Sequence, residues 1–407
     1  MVRPRFEVAD VVRAHGEEFL RRFPTTSAER RVLAHIAACR TSALGGHVDR
    51  CDACQRERVS YNSCRDRHCP KCQGTERARW IERRLQQILP VPYFHVVFTL
   101  PAELNPLVRR NKRLLFGMLF RVAASTLTTI AADERRLGAQ LGFTVVLHSW
   151  GQQMLFHPHV HCVVTGGGLS TDGGAWITAR ERYLLPVRVL AKLFRGRFLD
   201  LLHRAWCAGD LRFGGSTAAL AMAKAWASLK DKLYRKDWVV HAKPPFGGAR
   251  HVFRYLGGYT HRVAISNHRI VEFRDGQVSF KWKDYADGGQ RKTMTLDALE
   301  FLRRFLLHVL PRGFVRVRHY GLHASGHGQD RLERARELLA PGDRARSASA
   351  GGSSAKSWID WLREWTGVDA LRCSYCGAGR LTTIQVLPSP RWRSAPRVPA
   401  RGPPCLC

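Results

Sequence analysis

Between Gly46 and Cys72 the chain has little that is apolar to bury, and no other stretch constrains its fold as tightly. The segment is polar, short of aliphatic residues and crowded with cysteine and histidine, so burial alone cannot hold it in shape. Cys51-x-x-Cys54 and Cys69-x-x-Cys72 are knuckle-type pairs with fourteen residues between them, the spacing of a four-thiolate Zn2+ module. Cys64 and His68 lie between the pairs and are able ligands too, and His47 or Cys39 would serve a second ion, so spacing leaves the ligand set open. Free buried cysteines are the alternative, but they need a core to be buried in, and this segment offers none. Arg65, Arg67 and Lys71 give the module a basic surface suited to phosphates. After 341–357, a Ser/Gly/Ala/Arg-rich linker, Cys373-x-x-Cys376 resembles half of a second ribbon, with Cys405 and Cys407 as partners or with none; 387–404 reads as a disordered tail.

His157-Pro158-His159-Val160-His161-Cys162 carries a histidine at every second position. Alternate residues of a β-strand share a face, so three imidazoles line up where they can hold one divalent metal. Val163-Val164 and the Gly166-Gly167-Gly168 loop follow, as expected of a buried strand with a site at its end. Further on, Tyr255-Leu256-Gly257-Gly258-Tyr259 spaces two tyrosines by four, which on a helix puts both phenols on one side. Taken singly, a His-x-His pair is more often structural than functional, and such tyrosines most often pack as half-buried aromatics. Their occurrence together, beside the cysteine module, favours a site.

Charge narrows the choice of partner. Lys and Arg number 66 against 33 acidic residues, a net +33, and nucleic acid is the commonest polyanion to answer such an excess. No run of about twenty apolar residues is present and the N-terminus lacks a signal-peptide core, so the expectation is a cytoplasmic protein with no membrane span. Its cysteines are then thiols or metal ligands rather than disulfides. Periodicity predicts helices at 6–23 and 27–39, a basic helix at 75–88, and a strand at 91–101 followed by helix to about 136. It further predicts paired strands at 143–150 and 157–165, a long helical region at 187–234, a hairpin around Asp275-Gly276, a helix at 296–310 and a strand at 314–320. The division expected is 1–45 helical, 46–89 zinc-binding and DNA-contacting, 90–325 catalytic, 341–357 linker, and 358–407 a C-terminal helix, weak ribbon and tail.

So assembled, the chain resembles a rolling-circle insertion-sequence transposase of the HUH endonuclease class, two-tyrosine branch, over about 25–325. Four segments carry the resemblance in order: Asn62-Ser63-Cys64-Arg65-Asp66-Arg67-His68-Cys69-Pro70-Lys71-Cys72, 90–101, the histidine strand, and Tyr255 to His261-Arg262. It implies an α+β fold, an HUH-type central antiparallel sheet with helices, related to ferredoxin-like domains and preceded by a small helical and zinc-binding domain. It implies further that His159 and His161 bind Mg2+ or Mn2+, that Tyr255 and Tyr259 are nucleophiles, and that Arg262 joins Arg65, Arg67 and Lys71 on DNA. A third metal ligand comes from elsewhere in this class; strand parity nominates His157, with Gln152 or Gln153 behind it. The activity implied is cleavage and rejoining of single-stranded or hairpin DNA at element ends through a 5′-phosphotyrosine, with bases stacked on aromatics such as Trp150, Trp282 or Tyr285, which serve equally well as core. A hydrolytic nuclease would use the same histidines with water. A non-catalytic zinc-containing DNA-binding regulator explains the charge and the cysteines but not three histidines in register.

Overall fold

A computed structural model describes residues 4–72, 80, 81, 84, 87–244, 264–324, 328–340, 360, 363, 369 and 371–390. The strands, in chain order, are β1 (Gly46–Cys51), β2 (Glu57–Tyr61), β3 (Tyr93–Thr99), β4 (Ala139–Trp150), β5 (Phe156–Ser170), β6 (Trp176–Thr178), β7 (Val240–Lys243), β8 (Ile270–Arg274), β9 (Gln277–Asp284), β10 (Gln290–Asp297), β11 (Val317–Gly321) and β12 (Leu381–Leu387). They form three sheets, ordered β11-β4-β5-β3-β7 with β6 beside β5, β8-β9-β10, and β12-β1-β2, and every pairing is antiparallel. With its helices, the chain is an α+β protein as expected.

One face of the central sheet is apolar. Phe94, Val96 and Phe98 of β3, Val145 and Leu147 of β4, and Val160, Cys162 and Val164 of β5 are buried in a cluster with Leu119, Phe120 and Leu127 of the helix Lys112–Ala132 and Phe194 and Phe198 of the helix Val187–Cys207. Each large apolar side chain so buried contributes about 1.5–3 kcal/mol. That burial also fixes register, because a one-residue slip of β5 would drive its histidines into the apolar layer. The helix Lys112–Ala132 is long and apolar enough to cross a membrane, yet 67% of its apolar window is buried, as in a core helix.

At the N-terminus the helices Val8–Arg22 and Ser27–Ala38 form where periodicity predicts. Thr26 caps the second: its Oγ1 accepts from the Glu29 N–H at 3.3 Å while the Glu29 carboxylate accepts from the Thr26 N–H at 2.8 Å. Val8, Phe19 and Ile36 share a core with Ile265, Phe280, Phe301 and Phe305, so this end of the chain packs on the β8–β10 meander and the helix Ala298–Leu306. The predicted hairpin is present, with Asp275 and Gly276 both left-handed (φ 49° and 70°), the two-residue turn that matches strand twist. The predicted helix 296–310 starts later, at Ala298, because Asp297 ends β10 and caps it by accepting from the Leu299 N–H at 2.9 Å. Helical region 187–234 is broken after Cys207, where Gly209 takes φ 72° at the helix end, and resumes at Ala223–Arg235. Residues 381–387 form β12 against β1, from Gly46↔Leu387 to Cys51↔Leu381, so Leu387, expected to begin the disordered tail, is instead paired in a sheet. The linker 341–357, most of the helix 75–88, and the tail from 391 lie outside the described residues.

Candidate metal centres

The face of the central sheet opposite the helices is lined with histidine. In the β4–β5 register His159 stands opposite His148, and on the other side β3 brings Thr99 opposite His159 and Val97 opposite His161. His95, two residues from Val97, therefore shares that face beside His161. Ring nitrogens of His148, His159 and His161 lie within 4.8 Å of one another. His159 Nε2 is 3.0 Å from His161 Nε2, and His161 Nδ1 is 2.8 Å from His95 Nε2.

One of these contacts assigns a proton, and the others follow from the tautomer His161 adopts. His159 Nδ1 is 2.7 Å from the His157 carbonyl, which can only accept, so Nδ1 carries the hydrogen and Nε2 keeps a lone pair. If His161 Nδ1–H donates to His95 Nε2, the second Nε2 also presents a lone pair to the first. In that tautomer the two lone pairs, 3.0 Å apart, would converge on a cation as the donors of a metal site do; in the other, His161 Nε2–H donates to His159 Nε2. Burial holds the rings neutral: it pushes His159 down to about 4 and His161 well below its ordinary value, and burial followed by the nearby Lys243 brings His95 to about 4. Neutral imidazole is the form that binds metal.

The third ring in this cluster is His148 rather than the expected His157. His157 is exposed, its ring centroid 5.1 Å from that of His159, and its contribution is the carbonyl that orients His159. Strand parity put His157 on the right face, but cross-strand register delivers His148. Gln152 and Gln153 lie in the β4–β5 turn, where their carbonyls accept from Arg269 and Arg304. Trp150 stacks on His148 at 4.5 Å between centroids and so walls the cluster. Trp282 packs on the core under Lys292, and Tyr285 is exposed with Lys283 over its ring. Tyr255, Tyr259 and Arg262 lie outside the described residues.

The knuckle pairs part company, contrary to their spacing. Cys69 and Cys72 are joined by Cys39 and Cys64, with Cys39–Cys72, Cys64–Cys72 and Cys39–Cys69 sulfur separations of 3.3, 3.5 and 3.6 Å, whereas Cys51 and Cys54 stand against Cys373 and Cys376. A tetrahedral zinc with bonds of about 2.3 Å has ligand sulfurs about 3.8 Å apart, so a small expansion fits the first group to zinc. Cys39 comes from the C-cap of the helix Ser27–Ala38, packed in the same core as Cys69. His68 is not in either group. Its Nε2 accepts from the Leu310 N–H at 3.2 Å and its Nδ1 meets Asp66 Oδ1 at 2.9 Å, tying the thiol loop to the chain just before β11. His47 faces Asp49 at 3.5 Å.

Of the basic residues, Arg65 is exposed. Arg67 donates to the Phe314 carbonyl at 2.5 Å and Lys71 pairs with Glu7, so both are engaged within the fold.

Residues 11–100 match the family described as "Transposase zinc-binding domain", and residues 142–331 match the one described as "Putative transposase". The second match contains most of β4 and all of β5, and with them all three clustered histidines. The chain is 48% identical to "Putative transposase y4qJ" of Sinorhizobium fredii over 95% of its own length and 96% of the relative's. It is 27% identical to "Transposase for insertion sequence element IS801" of Pseudomonas savastanoi pv. phaseolicola, over 88% and 84%. No solved structure matches. With near-complete coverage of such a relative, and a zinc-binding module followed by a transposase segment, the chain belongs to the IS91-type insertion-sequence transposases.

Proposed function

We propose that this transposase cleaves and rejoins single-stranded DNA at element ends through a 5′-phosphotyrosine, in the rolling-circle manner and with a divalent ion. The observation that carries the proposal is the pair of facing Nε2 atoms of His159 and His161, 3.0 Å apart, with both Nδ1 atoms engaged. His148, His159 and His161 hold the ion. When bound, it supplies positive charge to a non-bridging phosphate oxygen. An all-nitrogen set suits Mn2+ better than Mg2+, which prefers oxygen. His95 acts as a positioning residue, fixing the His161 ring through Nε2.

Tyr255 and Tyr259 are the proposed nucleophiles. Support comes from the flanks of their segment: Lys243 stands opposite His95 in β7–β3 register, and Ala264 and Ile265 share a core with Met154 of the β4–β5 turn. A phenol oxygen attacks phosphorus, its proton leaves to solvent, and the 3′ oxygen departs as a free hydroxyl while the 5′ phosphate stays on tyrosine. Bond energy is conserved, so a 3′-hydroxyl can later attack the link and return the phenol. Two tyrosines allow a second cleavage before the first link is resolved. The strand must be unpaired for such access, and the net +33 charge would hold it.

Incubation with labelled single-stranded element ends and Mn2+, followed by denaturing gels and mapping of the modified residue, tests this. A covalent adduct on Tyr255 or Tyr259 is expected, reduced in each Tyr→Phe variant and absent from the double variant. Cleaved DNA without an adduct would instead mean water is the nucleophile, and an adduct surviving in the double variant would place the nucleophile elsewhere.

A further inference from the structure

Cys373 and Cys376 stand 319 and 325 residues from their sulfur neighbours Cys54 and Cys51, beyond both segments that match known families. Each of these contacts, Cys54–Cys373 and Cys51–Cys376, is 3.7 Å, against the edge of about 3.8 Å in a tetrahedron of zinc–sulfur bonds. The backbone around them is built for thiolate. The Cys54 N–H points to Cys51 Sγ at 3.5 Å, the Tyr375 N–H to Cys373 Sγ at 3.4 Å, and the Gly379 N–H to Cys376 Sγ at 3.4 Å. The residue after each second cysteine is left-handed, Gln55 at φ 54° and Gly377 at φ 65°, so the two knuckles are copies of one turn. Gly379 passes so close that a Cβ there would collide with Cys51 Sγ and Asp52. Asp52 and Arg380 exchange contacts, the Asp52 N–H donating to the Arg380 carbonyl at 3.0 Å and the Arg380 N–H to Asp52 Oδ1 at 2.8 Å.

We infer that Cys51, Cys54, Cys373 and Cys376 form a second four-thiolate zinc site, which closes one ribbon from the two ends of the chain. β1–β2 supplies one half, and β12, paired along β1, the other. Among the described residues the apolar cluster around it consists of Cys51, Cys373, Leu381 and Cys54, too small to hold the two halves together unaided. The N-terminal module is thus finished only when the C-terminus has been made.

Metal analysis of the full-length protein should find about two zinc ions per chain, one for each set of four thiols. Alkylation mapped by mass spectrometry on the native protein should show Cys51, Cys54, Cys373 and Cys376 protected together and exposed together on chelation, while exposed Cys207 reacts at once. In the Cys373→Ser/Cys376→Ser variant one zinc should be lost and the other kept. About one zinc per wild-type chain, with these four thiols alkylated as fast as Cys207, overturns the site. The wild-type alkylation pattern decides the matter even if that variant fails to fold.

Discussion

The thiol groups and the histidine group differ in how completely they surround an ion. Each thiol group offers four donors, a closed set around tetrahedral zinc; the histidine group offers three ring nitrogens among the described residues, so a bound ion keeps room for a substrate oxygen. Their settings differ in parallel. The histidines stand on a broad sheet whose other face is packed under two long helices, so the platform is rigid without the ion. Cys51, Cys54, Cys373 and Cys376 stand where, among the described residues, little else is buried. The second thiol group, closed and on weak ground, would hold structure, whereas the histidine group, open and on firm ground, would be free to do chemistry.

If that contrast is right, the largest structural effect should follow loss of a thiol. Zinc binding is worth on the order of 10 kcal/mol in small thiolate modules. Cys51→Ser should therefore lose about one zinc per chain and open the β12-β1-β2 sheet to proteolysis, because little else is buried there among the described residues; a variant that keeps its protease resistance and its zinc breaks the contrast. A smaller effect is expected at His95. His95→Ala should raise the Mn2+ concentration needed for half-maximal cleavage about 10- to 100-fold while leaving the rate at saturating Mn2+ nearly unchanged, as for a group that acts through a ligand.

His308 tests the firmness of the ground beneath the β4–β5 turn. It is buried between Ser149 Oγ and the Met154 carbonyl, at 3.2 and 3.0 Å, and burial pushes it down to about 3. The unfolded chain takes up this proton near pH 6.5, so stability is present above that pH and falls as pH drops towards 3, by up to about 2 kcal/mol between pH 6.5 and 5. Denaturant titrations at the two pH values should show a smaller difference in His308→Gln. The smallest effect belongs to Arg65, whose replacement by Ala should lower the salt dependence of DNA binding by about one phosphate contact. Arg67→Ala and Lys71→Ala should instead lower stability and leave that slope alone, because their charges are engaged within the fold.

Much of this contrast is legible in the chain itself. The alternation in 157–162 announces the histidine face, and Asp275-Gly276 announces its hairpin, because both depend on neighbouring residues. His148 is not legible, since its place beside His159 depends on cross-strand register, which many distant apolar contacts decide together. Cysteine spacing picks out candidate metal ligands but not which of them cluster together. Thiols of one knuckle stay together, while their partners come from wherever the fold returns, a helix end for Cys39 and the far terminus for Cys373. β7, β10 and β12 escape periodicity because β7 is only four residues long, and β10 and β12 are polar or exposed and owe their form to the strands beside them.

The most direct test of the histidine centre compares covalent adduct formation on single-stranded element ends in the wild type and in His161→Ala, each with measured zinc content and DNA affinity. The expected result is adduct formation that rises with Mn2+ in the wild type and falls by about 100- to 1000-fold in the variant, as when charge stabilisation at the reacting phosphate is removed, with zinc content and DNA affinity unchanged. Undiminished, Mn2+-dependent adduct formation by His161→Ala would contradict the assignment of this face as the catalytic metal centre.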